Sequence, residues 1–187
     1  DHGGASSAGS SGGGFTQASN LVPLEGGCNS GGIVPAAEGR PTGSNGGGAI
    51  QLVSRTRVVV AATAIVDVSG QRGFGVWNNF VMTAYATGGG SGGALLLEGP
   101  SVIVAAGASV IGRGGSGGAA NRTTGVVQNG NDGNFSGASV PGGTCPGCGM
   151  GGMGGIEGVA PGAGAGTSPA IAGGGGSVGK CVVRNRS

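Results

Sequence analysis

Residues 47–73 read GGAIQLVSRTRVVVAATAIVDVSGQRG and residues 92–118 read GGALLLEGPSVIVAAGASVIGRGGSGG, and the two align without a gap at an offset of 45. Gly47-Gly48-Ala49-Ile50 falls on Gly92-Gly93-Ala94-Leu95, Val58-Val59-Val60 on Ile103-Val104-Ala105, and Ile65-Val66 on Val110-Ile111. A fixed period of this kind marks a chain built from similar units that stack on one another. GGGGSVGKCVV (Gly173–Val183) begins a third copy about two periods on. The position of the intervening copy, near 137–163, holds glycine, Met and Cys with little strand character.

Each copy contains three short runs of strand-forming residues: Ala49–Val53, Arg57–Val60 and Ala64–Val68, then Ala94–Glu98, Val102–Ala105 and Ser109–Ile111. Runs of about five residues separated by turn signals indicate strands, and Pro100 with Gly107 argue against helix. Ile50 and Leu52 align with Leu95 and Leu97 and are assigned to an inward face. Arg57 should point outward, which places Val58 and Val60 inward over Ile103 and Ala105. The expected fold is all-β: a parallel β-solenoid, β-helix-like, with glycine-rich loops. A glycine-rich β-sandwich with an internal duplication is the alternative. The whole chain, 1–187, reads as one domain, with 46–118 as its best-defined repeat pair and 125–170 as a degenerate repeat or an insertion. Residues 1–14 read as a flexible or subunit-linking arm.

Glycine supplies 51 of the 187 residues, and charged residues only 9%, against average usage of about 7% and about 25%. Each glycine in a regular element costs about 0.5–1 kcal/mol relative to alanine, and large apolar residues are few. Such a chain should draw stability from backbone hydrogen bonding, disulfides or other copies of itself. GSSGGG (Gly9–Gly14) has the composition of a linker. The internal tracts instead return at one phase of the period, which suits built corners or polyproline-II-like strands, whose packing needs glycine where backbones touch.

The phrases GGGAIQLVS, GGSGGALLLEGPSVIV and GGGGSVGKCVVRN resemble motifs of glycine-rich secreted and cell-surface β-helix-like repeat proteins of myxobacterial and related bacterial type. The resemblance covers about half the chain in three blocks in the same order. It implies an extracytoplasmic location and β-helix-like coils, and it brings no catalytic residue. Cys181 stands where those proteins carry an apolar residue, and the CPGC segment lies outside their motifs.

Cys28, Cys145, Cys148 and Cys181 are an even set in a chain read as exported, which argues for two disulfides with three possible connectivities. The C-x-x-C of TCPGCG also permits half a metal site or a redox pair. Zinc wants a second such pair or histidines, and only His2 is present. A thioredoxin-type helix is opposed by Gly147, Gly149 and Gly151, and the c-type haem signature lacks its histidine at Gly149. GFGVWNNFVMTAY (Gly73–Tyr85) concentrates Phe74, Trp77, Phe80 and Tyr85. These are candidates for subunit or ligand contact, with a packed cap as the structural alternative.

The remaining chemistry is thin. No two carboxylates fall together, so glycosidase work has no visible support; Glu98 should come beside Val53 of the neighbouring copy, without a second acid. GNDGN (Gly130–Asn134) reads as a turn rather than a calcium repeat. Thr56, Thr63, Thr83 and Thr87 share no repeated phase, as an ice-binding ladder would require. Nine scattered basic residues make no nucleic-acid footprint, and no apolar run is long enough for a membrane-spanning helix. The first residue is Asp1 rather than Met, which suggests removal of a leader and hence an exported protein. The expected function is that of an extracellular or cell-surface structural protein, not an enzyme and without cofactor or metal, that polymerises through subunit contacts. The alternative is a monomeric surface adhesin or carbohydrate-binding module, with polysaccharide as partner, using the aromatic segment 74–85.

Overall fold

The structure is a computed structural model that describes Gly4 and residues 9–15, 18–32, 43–78, 82–134 and 136–186. Among these residues the chain is all-β, with no helix. The first repeat forms β1 (Ala49–Val53), β2 (Val58–Val60) and β3 (Ile65–Asp67), and a hairpin follows as β4 (Gly75–Asn78) and β5 (Thr83–Ala86). The second repeat forms β6 (Ala94–Gly99), β7 (Val102–Val104) and β8 (Ser109–Ile111). Then come β9 (Ala119–Asn121), β10 (Val127–Gln128), β11 (Ala170–Ala172) and β12 (Lys180–Asn185).

The two repeats lie side by side. Each of β1, β2 and β3 pairs in parallel with its counterpart β6, β7 or β8, and β12 adds to the far side of β6, giving the order β1-β6-β12. The alternation of side chains is legible in the burial. Leu95 and Leu97 are fully enclosed with Val58, Val60 and Val68 on one face of β6, and Ala94 and Leu96 pack with Phe15 and Leu21 on the other. Covered on both faces, β6 reads ALLLEG where the largely exposed β1 reads AIQLV.

The pairing departs from the gapless alignment after the first strand. Ala49 stands opposite Ala94, 45 positions on, but Val58 stands opposite Val102 and Val66 opposite Val110, 44 positions on. The cause is the turn: Ser54–Arg57 separates β1 from β2, whereas Pro100-Ser101 alone follows the longer β6. A one-residue slip reverses every side chain, so Val102, not Ile103, joins Val58 in the core, and Ile103 is exposed. Nor do the strands close into the single continuous solenoid expected. Among the described residues they form five small sheets, of which β2-β7 and β3-β8 have two strands each.

The glycine tracts account for the rest, and they are the interior of the molecule. Residues 86–99, 114–121 and 171–177 are buried without a break. Along 89–93 the amide donors rotate with a period of three: Gly89 and Gly92 donate to Gly174 and Ser177 oxygens (2.9 and 2.8 Å), Gly90 and Gly93 to Gln71 and Val68 (2.9 and 2.6 Å), and Ser91 to Cys28 (3.2 Å). The same rotation runs along 114–118, where Gly114 and Gly117 donate to Gly155 and Gly152, Gly115 and Gly118 to Gly90 and Thr87, and Ser116 to Asn131. Three residues per turn with every bond leaving the strand is the habit of polyproline-II packing. The tracts are therefore buried segments hydrogen-bonded into a bundle, with the threefold donor rotation that suits polyproline-II packing, rather than corners.

Glycine is needed here for closeness. A Cβ at Gly90 would lie 2.0 Å from the Asn45 oxygen, and one at Gly115 would lie 2.1 Å from the Gln71 oxygen. Neither residue has a positive φ, so what matters is the missing methyl group. Serines enter the bundle where a hydroxyl finds a carbonyl. Ser116 Oγ donates to Pro141 O (2.6 Å) and accepts from Asn131 N (2.6 Å), whereas the buried Ser177 Oγ has no partner among the described residues. Ser116→Ala should lower stability by about 1–3 kcal/mol, and Ser177→Ala should leave it unchanged or raise it. Paired urea titrations read both.

The degenerate region belongs to this bundle. Gly130 and Gly133 of GNDGN, three apart, donate to Gly73 and Gly70 oxygens (both 2.9 Å), with Asp132 accepting from Arg72 N at 2.8 Å. The segment is thus an extended strand that turns only at its end. Further on, Gly151 and Gly154 donate to Gly143 and Val140, and Gly152 and Gly155 to Gly173 and Gly176. At the near end of the chain, Gly13 N donates to Gly89 O (2.8 Å) and Ser10 N to Ala86 O (3.2 Å). The part of the 1–14 segment that is described is packed, and 1–3 and 5–8, with His2, lie outside the described residues.

Candidate assembly surface

The parallel sheet β1-β6-β12 has two outer edges, and no described strand pairs with either. Its β1 side is apolar and open. Leu52 is 41% exposed and Val53 55%, although Leu97, at the same repeat phase as Leu52, is wholly buried. The difference is position in the stack: Leu97 lies on the middle strand and Leu52 on the last. On the β12 side Val183 is 50% exposed. The outward faces of β2 and β7 add a lateral pair, Val59 opposite Ile103, both exposed. An apolar surface of this extent on a chain so poor in charge suits contact with another macromolecule.

Of the charged residues in the same sheet, one is buried. Glu98 is buried and forms an ion pair with Arg186 Nε, and it sits in register between Val53 of β1 and Arg184 of β12. The acid therefore falls beside Val53 as the repeat implies, and its partner comes from beyond β12. Beside β12 lies a groove of about 480 Å³ whose lining includes Val68, Leu95, Val110, Ile111 and Cys181. Desolvation pushes the Cys181 thiol above its ordinary pKa.

The cysteines do not form the two bonds expected of an even set. Cys145 and Cys148 are joined within the CPGC turn, where Cys148 N also donates to Cys145 O (2.9 Å); Cys28 and Cys181 are free and exposed. Cys28 sits in a glycine strand beside Ser91, and Cys181 in the edge strand β12, so the fold does not bring them together as a pair. Alkylation of the folded protein without reductant should modify Cys28 and Cys181 only, and reduction should add Cys145 and Cys148. Intact-mass analysis reads this directly. Cys181 should need a higher pH for half-maximal labelling than an ordinary thiol, because only the thiolate reacts. No group of three or more potential metal ligands occurs among the described residues.

The aromatic segment folds as the β4–β5 hairpin, with Val76 opposite Tyr85 and Trp77 opposite Ala84. Directly paired residues share a face, so Trp77 and Tyr85 project from opposite faces. The Trp77 ring packs against Gly125 and joins Ala84, Ala86, Ala120 and Ile171 in a small core between the hairpin and the β10-β9-β11 sheet. Phe74 and Tyr85 are half-buried, and Phe80 lies outside the described residues. The open edge of β1 was not distinguishable in the sequence, since its apolar residues repeat the pattern of the buried β6. The signal that separates them is neighbouring context: among the described residues a strand precedes β6 in the stack and none precedes β1.

Comparisons with protein-family models, with curated proteins and with solved structures found no match. The likeness to glycine-rich secreted proteins rests on the motifs alone.

Proposed function

We propose that the chain is an extracellular structural protein that assembles with copies of itself into a fibre or a surface or matrix layer. The observation that carries this reading is the pair of open edges on the parallel sheet β1-β6-β12, with exposed Leu52 and Val53 at one side and Val183 at the other. Unpaired strand edges are templates for further strands, and native chains usually blunt them with charge, proline or cover. Here β1 carries no charged residue. In this reading the paired repeats are coils of a short parallel β-solenoid (β-helix-like) that continues through neighbouring copies, with the glycine bundle as its rigid flank.

Export is supported by the Cys145–Cys148 bond, since disulfides persist in oxidising compartments, and by the motif resemblance. No helix of the described residues is long and apolar enough to cross a membrane. The adhesin alternative would use the aromatic segment, where Trp77 is engaged in packing and faces away from Tyr85. Negative-stain microscopy and sedimentation over a concentration series test the proposal. Uniform polymer appearing above a threshold concentration is the expected result. A single sharp monomer at every concentration would overturn it.

A further inference from the structure

Three glycines lead into the three strands of the parallel sheet: Gly48 before β1, Gly93 before β6 and Gly179 before β12. Ala94 N donates to Gly48 O (3.1 Å) and Lys180 N to Gly93 O (2.8 Å), so each strand's first amide hangs on the lead-in glycine of the strand before it. That bond brings the carbonyl onto the next lead-in residue. A Cβ at Gly93 would lie 1.9 Å from Gly48 O, and one at Gly179 would lie 2.1 Å from Gly93 O. Glycine at both positions is thus required by the strand beneath.

Gly48 is different. A Cβ there would meet nothing within 4 Å among the described residues, its φ is not in the left-handed region, and both it and Ala49 are exposed. Among the described residues nothing explains the glycine. It has the residue that stacking demands, and no described strand demands it. The complement exists at the other edge of the same sheet, where Gly179 O holds the place in the series that Gly48 O and Gly93 O occupy.

We propose that β12 of a second copy docks in parallel on the open edge of β1. In the register that the sheet already repeats, Lys180 of the second copy stands opposite Ala49, Cys181 opposite Ile50, Val182 opposite Gln51 and Val183 opposite Leu52. Ala49 N donates to Gly179 O of the second copy, and that carbonyl lies against Gly48. The exposed Leu52 and Val183 cover one another and continue the apolar seam of Leu97. The contact is head to tail and open, so it propagates as a filament rather than closing. The docking is carried by this one sheet.

The inference rests on the self-assembly reading and is tested apart from it. Gly48→Ala should fold as the parent does, by circular dichroism and melting, because the methyl group meets none of the described residues. It should raise the threshold concentration for polymer about 10- to 100-fold, as expected for a methyl group forced into a packed contact. A second arm uses a Cys28→Ser background in which Ile50→Cys is opposite Cys181 of the next copy. Mild oxidation should then give a ladder of covalent oligomers, and Gln51→Cys, on the other face, should give far less. No polymer from the parent chain at any concentration would overturn both readings. Polymer with an unchanged threshold in Gly48→Ala, or with cross-linking equal at 50 and 51, would overturn this docking and leave self-assembly standing. Should Gly48→Ala misfold, the account of its open surroundings fails and the cross-linking arm decides the register.

Discussion

Gly90→Ala is expected to remove most of the protein's stability, by about 4 kcal/mol or more, although it adds a single methyl group and improves the local propensity of the chain. The methyl carbon would stand 2.0 Å from the Asn45 carbonyl oxygen and 2.5 Å from its carbon. Those atoms are backbone, held by Gln71 N donating to Asn45 O at 2.9 Å, while Gly90 itself donates to Gln71 O at 2.9 Å. No rotamer change relieves the clash, and moving the 45–46 strand breaks the bonds of the strands beyond it. Total stabilities of domains lie near 5–15 kcal/mol, so the variant should be largely unfolded. Gly115→Ala, 2.1 Å from Gln71 O, should behave alike. Urea denaturation followed by circular dichroism measures the loss, with Gly48→Ala as the control within about 0.5 kcal/mol of the parent.

The second large effect is the conventional one. Leu97 is fully buried on β6 among Leu95, Val58, Val60 and Val68. Leu97→Ala removes buried carbon and leaves a void, at about 2–5 kcal/mol. The same truncation of the exposed Val183 should change the single chain by no more than about 0.5 kcal/mol. Taken with Gly90→Ala, the comparison separates the two cores of this molecule. One is a small apolar core that suffers when atoms are removed. The other is a glycine bundle that suffers when atoms are added.

The sequence made the apolar half of this fold legible and the glycine half only in outline. Period and parity located β1 and β8 to the residue and β6 to within one, since β6 runs on to Gly99, because Val, Ile and Leu at alternate positions carry a face assignment with them. The slip at β2 and β7 escaped because a repeat alignment does not weigh turn length, and Pro100-Ser101 is shorter than Ser54–Arg57. The third copy was recognisable from GGGGSVGKCVV, and β12 does pair with β6, with Lys180 opposite Ala94.

Glycine tracts carry no face pattern at all, since a residue without a side chain cannot announce which neighbour it touches. The threefold rotation of their donors follows from backbone geometry, and only the interspersed serines mark where one strand has room for a Cβ. GNDGN illustrates the loss: it has the composition of a turn and the pairing of a strand. The aromatic cluster showed the opposite failure, in that closeness in sequence did not become a shared face, because alternation along the hairpin sends Trp77 and Tyr85 apart. The cysteine count could not reveal that Cys145 pairs locally, since pairing depends on distance in the fold.

The glycine tracts form the protected interior of the protein. Native-state hydrogen exchange resolved to single amides tests this most directly, at 89–93, 114–118 and 173–177. These amides, each bonded to a neighbouring glycine strand, should exchange only with global unfolding, as slowly as those of β6. Exchange of the glycine amides at the rates of an open chain, with protection confined to the β-strands, would contradict the account.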